Sequence, residues 1–160
     1  MTKSESRALL IANGVPDELL GRDADVSFLR RMGMSAPNIC LAEEIEQAVP
    51  NLRGFIPIFE VNGEALIGYV SRNGRFVRFY YEDTLAGDDA IELLGVGYQQ
   101  FAAKLLIELY EAGLSSHFDT FVGILRFVRA HELRTLLEAS TYDEQAVNDF
   151  YLSLAVEKAP

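Results

Sequence analysis

Two Asn-Gly pairs, Asn62-Gly63 and Asn73-Gly74, stand between three apolar, β-branched and aromatic runs. The runs are residues 54–61, 64–71 and 75–82. Asn-Gly is the strongest short-range hairpin signal, because both residues tolerate the positive φ angles of a type I′ turn. The spacing predicts a three-stranded antiparallel meander. Pro57 lacks an N–H, so the first strand should lie at an edge or be bulged there. In the third run Val77, Phe79 and Tyr81 alternate with Phe76, Arg78, Tyr80 and Glu82. The first set reads as core-facing, and Arg78 and Glu82 put the other face at least partly in water.

The flanks read as helix. Ser6 to Asn13 stops at Asn13-Gly14 ahead of Pro16, residues 26–34 offer a short helix, and Leu41 to Val49 ends at Pro50. Tyr98, Phe101, Ala102, Leu105, Leu106, Leu109 and Tyr110 repeat at helical spacing, and Gly113 follows as a stop. A further apolar pattern runs from Phe118 to Leu137 as one long helix or one broken near His131. Thr141 with Glu144 has capping-box spacing ahead of a last helix. Residues 82–97 read as a turn-rich connector with a short helix at Asp89 to Leu94, where Asp89 and Glu92 have the same capping spacing. Gly95-Val96-Gly97 reads as a flexible joint. The order gives an α+β fold: a three-stranded or larger antiparallel meander, covered on one face and flanked by N-terminal and C-terminal helices. Residues 1–160 suit a single domain, with 115–160 as a helical C-terminal extension.

Charge narrows the function classes. Acids outnumber Lys and Arg 24 to 14, a formal −10. That sign repels nucleic acid and anionic membrane and favours basic partners, although acidity also serves solubility. Arg72, Arg75 and Arg78 interleave with Phe76 and Tyr80, and Arg126, Arg129 and Arg134 lie downstream. Three cations at a hairpin are explained as well by protection against aggregation, so no nucleic-acid partner is expected. Neither a secretory signal nor a run of roughly 20 apolar residues is visible. The reading is a soluble, cytoplasmic protein.

Catalytic signatures are missing from the pattern. His117 and His131 on one straight helix would be about 21 Å apart, too far for joint coordination. Cys40, beside Ile39 and Leu41, reads as a small buried hydrophobe. No metal, cofactor or catalytic residue is assigned. The densest polar feature is Glu82, Asp83, Asp88, Asp89 and Glu92, five acids in eleven residues, beside Tyr80 and Tyr81. These seven residues make the candidate partner surface, suited to a partner carrying Lys and Arg. A solvated loop with capping acids is the plainer explanation.

The segment Gly54-Phe55-Ile56-Pro57-Ile58-Phe59, Asn62-Gly63, and the strand ending Phe79-Tyr80-Tyr81-Glu82-Asp83 resemble the central block of the SUKH superfamily. The helix from Tyr98-Gln99-Gln100-Phe101 is similar to the one that follows that block. Ala12-Asn13-Gly14-Val15-Pro16 resembles an element near the start of some members. The likeness covers roughly residues 9–112. The chain lacks Trp and the Pro-led Tyr-Phe-Leu helix of more typical members. The resemblance implies an α+β fold and a bacterial immunity protein that binds a cognate secreted toxin and blocks its active site or an essential surface, without being an enzyme. A basic nuclease toxin would complement the charge. Two other classes stay open: a regulatory or scaffold module, and a small-molecule binder or small enzyme with a polar pocket holding a His or a buried carboxylate. A homodimer through the C-terminal helices is also open.

Overall fold

The computed structural model describes residues 1–20, 27–81 and 88–155. Five strands, β1 (Met34–Ser35), β2 (Phe55–Val61), β3 (Ala65–Val70), β4 (Arg75–Tyr80) and β5 (Ile91–Val96), form one antiparallel sheet in chain order. Seven α-helices are described. They are α1 (Lys3–Ala12), α2 (Ser27–Arg31), α3 (Ile39–Ala48), α4 (Tyr98–Glu111), α5 (Phe118–Leu125), α6 (Ala130–Leu137) and α7 (Glu144–Ser153). The α+β class and the meander are as the sequence predicts.

The two Asn-Gly turns differ. Asn62 and Gly63 both have positive φ (51° and 69°), and the Glu64 N–H closes the turn on the Val61 carbonyl. In the second hairpin only Gly74 does, and the loop spans residues 71–74. Pro57 meets both expectations. The β2–β3 register shifts between Pro57 and Phe59, and β1 pairs only with Glu60 and Val61, leaving Pro57 on an unpaired stretch of edge.

The sheet is covered on both faces, not one. On one side Ile67, Tyr69, Phe76 and Leu94 join Phe101, Leu105 and Leu109 of α4 in the main core, which α1 and α5–α7 extend. The Phe76 and Phe101 rings stack with centroids 4.7 Å apart. On the other, Ala42 and Ile45 of α3 pack with Phe55, Leu66, Val70, Val77 and Phe79. The face of β4 expected in water therefore carries a fully buried Phe76 and a buried Arg78.

Residues 91–96 are a strand rather than a connector with a helix. Alternation is broken there by a bulge: Leu93 pairs with Val77 and Gly95 with Phe76, so Leu94 is the extra residue. The Gly-Val-Gly segment is a packing device rather than a flexible joint. A Cβ on Gly95 would stand 2.5 Å from the Phe101 nitrogen, so β5 and α4 approach backbone to backbone.

Downstream, one long helix is replaced by α5 and α6. The break falls at residues 126–129, ahead of His131, where Arg126 takes a left-handed conformation (φ 52°). The Tyr98 hydroxyl donates to the Leu125 carbonyl at 2.7 Å, serving one of the carbonyls that the end of α5 leaves free. The last helix is capped by Asp143, whose carboxylate accepts from the Ala146 N–H, and not by Thr141. Cys40 is exposed rather than buried, because the buried stripe of α3 runs through Ala42 and Ile45. No helix among the described residues is long and apolar enough to cross a membrane.

Candidate partner-binding surface

Cross-strand pairing of β4 with β5 sets Arg78 opposite Glu92, and α4 crosses above with Glu108. The Arg78 Nη1 donates to Glu92 Oε2 (2.9 Å) and Glu108 Oε1 (3.0 Å), and Nη2 donates to Glu108 Oε2 (2.7 Å). Burial opposes the charge on Arg78, which is 8% exposed. The hydrogen bond and charge of Glu108, then Glu92 and Tyr80, outweigh it, and its pKa is driven up. Its Nε is buried with no partner among the described residues. The Tyr80 hydroxyl donates to the same Glu92 oxygen at 3.3 Å. One cation thus holds two carboxylates, and the cluster carries a net charge of about −1 at neutral pH.

The seven predicted residues divide. Tyr80 is exposed on the α4 side with Glu92, which is half-buried. Tyr81 points to the other side, half-buried against the α3 core, and its hydroxyl donates to Glu60 Oε1 at 3.2 Å. Asp88 and Asp89 are exposed ahead of β5. Glu82 and Asp83 lie outside the described residues. Strand alternation alone separates Tyr80 from Tyr81. Arg78 and Glu108 were missed as site residues, since their meeting depends on how α4 crosses the sheet.

Four further arginines pair with acids. Arg7 pairs with Asp17, Arg126 with Glu18, Arg129 with Glu132, and Arg134 with Asp119 and Glu138. The downstream arginines are thus locally compensated rather than a bare basic patch. The hairpin trio is broken up too, because Arg78 turns inward. His117 meets Arg31 at 2.6 Å and His131 is exposed on α6, so the two do not share a helix. No group of three or more His, Cys, Asp or Glu that could hold a metal ion occurs among the described residues.

Hollows open to solvent among the described residues include the following two. One, of about 400 Å³, lies between Leu19, Leu29, Gly123 and Ile124, with Glu18 and Arg126 among its lining. The other, of about 340 Å³, sits on the α3 side of the sheet over Val70, Val77, Ile91 and Leu93, with Arg75 and Asp88 among its lining. The second lining adds Asn51 and Asn73 to Arg75 and Asp88, and neither lining includes a histidine. Comparison with known proteins returns no match: no family model, no curated protein and no solved structure aligns with this chain.

Proposed function

We propose that this chain is a toxin-neutralising immunity protein of the SUKH type. It binds a cognate, Lys- and Arg-rich secreted bacterial toxin and covers the toxin's active site or an essential surface. The observations that carry the reading are Glu92 held beside exposed Tyr80 on the α4 side, and exposed Asp88 and Asp89 on the segment that leads into β5, with Asp88 on the α3 side. The Glu92 carboxylate is held in place by Arg78 and Tyr80, so less ordering entropy is lost when a cation docks on it. Tyr80 supplies the aromatic anchor typical of contact centres. The formal charge of −10 steers a basic partner in and raises the association rate. The resemblance implies an α+β domain, and this chain has one.

The test is co-purification with the toxin encoded beside its gene, with rescue of cells expressing that toxin. Asp88→Lys/Asp89→Lys should weaken binding by about tenfold or more and reduce rescue. Glu43→Lys/Glu44→Lys on α3, an equal change of charge, should act only through a salt-sensitive on-rate. Equal affinity of the Asp88/Asp89 variant and the wild type would remove this surface from the account. Failure of any neighbouring toxin to bind would remove the function.

A further inference from the structure

The hollow of about 340 Å³ on the α3 side is built by separate segments of the chain. Asn51 comes from the turn after α3, Asn73 and Arg75 from the second hairpin, and Asp88 from the approach to β5. All four are exposed and form a polar rim. The floor between them is apolar. Val70 and Val77 are buried there, and Leu93, the cross-strand partner of Val77, is 44% exposed. Such a division suits a ligand with an apolar body and a polar end.

The rim charges narrow the class. Arg75 and Asp88 have opposite signs, yet no ion pair joins them. Arg7, Arg78, Arg126, Arg129 and Arg134 each meet an acid, whereas Arg75 meets none among the described residues, and Asp88 meets no cation there. The Asn73 Oδ1 accepts from the Arg75 backbone N–H at 3.2 Å, which holds that amide beside Arg75 and leaves its NH2 to donate. A guanidinium with a neighbouring amide is a carboxylate receptor. Asp88 supplies the matching acceptor for an ammonium. One molecule carrying both charges satisfies both residues. A net anion such as a nucleotide gains nothing from Asp88 and is opposed by the formal charge of −10.

We propose that this hollow binds a free apolar α-amino acid. The ligand carboxylate accepts from Arg75 and the Asn73 amide, its ammonium donates to Asp88, and its side chain covers Val77 and Leu93. The volume lies at the small end of the range for ligand pockets, which matches a single amino acid. This inference does not depend on the toxin-binding reading, and its test needs no toxin.

Amide chemical shifts of the isotope-labelled protein, titrated with L-phenylalanine, provide the test. Saturable shifts should appear at Asn73, Arg75 and Leu93, with a Kd of about 1 mM or tighter. Phenylpropanoate, which lacks the ammonium, and L-phenylalaninamide, which lacks the carboxylate, should each bind at least about tenfold more weakly. Arg75→Gln should erase the preference for L-phenylalanine over its amide, and Asp88→Asn the preference over phenylpropanoate. Both positions are exposed, and the comparison of the ligands on the wild type decides even without the variants. The proposal is overturned if L-phenylalanine gives no saturable shift up to about 20 mM, if the shifts map away from this hollow, or if either analogue binds as tightly as the amino acid.

Discussion

Arg78 and Glu108 meet through two parallel hydrogen bonds, Nη1 to Oε1 at 3.0 Å and Nη2 to Oε2 at 2.7 Å, where α4 crosses the edge of the sheet. The fork geometry suits a guanidinium and not an ammonium. Removing the cation leaves Glu108 partly buried without its partner. Arg78→Met should therefore cost about 3 kcal/mol in denaturant unfolding, and Arg78→Lys should recover only part of it. Arg78→Met/Glu108→Leu should regain most of the loss, because no partly buried charge is left under α4 and Glu92 can turn to water. A double variant no more stable than the worse single one would show that the pair does more than neutralise itself.

Two glycines should respond in opposite directions to alanine. At Gly95 the new methyl would lie 2.5 Å from the Phe101 nitrogen and 3.0 Å from its Cα, both main-chain atoms of α4 that cannot swing aside. Gly95→Ala should destabilise by about 2 kcal/mol or more. Gly123, inside α5, meets nothing within 4 Å. Gly123→Ala should stabilise by up to about 1 kcal/mol, because alanine loses less backbone freedom in a helix. Thermal melts of the two variants check both signs.

Acid should loosen the start of α1. The Glu5 carboxylate accepts from the Thr2 backbone N–H at 2.6 Å, and the Thr2 hydroxyl accepts from the Glu5 N–H at 3.2 Å. The bond from the Thr2 backbone, then Thr2's side chain, hold the Glu5 pKa below its ordinary 4.5. A carboxylate depressed on folding contributes stability that is present above its unfolded pKa and is lost as pH falls through the folded value. Helical circular dichroism should therefore decline as pH falls below about 4.5. Thr2→Ala and Glu5→Gln should each lower the starting signal and shrink that acid step. An unchanged step in Glu5→Gln would assign it elsewhere, with Glu132 next in line, since its bond to Arg129 lowers its pKa in the same way.

The legible parts of the fold are those fixed by short-range rules. Asn62-Gly63 sets its own hairpin, and the apolar repeat from Tyr98 sets α4, because both depend on neighbours a few residues away. β5 was hidden by two local coincidences. Asp89 and Glu92 imitate a capping box, and the bulge at Leu94 breaks the alternation that marks a strand. The split of α5 from α6 had no proline or glycine at the break, only Arg126 in a conformation that few residues adopt. Arg78 looked solvent-facing because its compensating carboxylate, Glu108, stands 30 residues away on another element. At the candidate surface, Asp88 and Asp89 were readable as exposed acids. The division of Tyr80 from Tyr81 was also within reach, since adjacent strand residues face opposite ways.

Every strand in this sheet pairs with the strand next to it in the chain. Such an arrangement keeps loop closure short, which is the condition for rapid assembly of a β-containing domain. During synthesis each hairpin can zip as soon as it clears the ribosome, and α4 then closes over a finished surface. The helices beyond residue 115 follow the last described strand, so all five strands are in place in the chain before α5–α7 are made to pack on them.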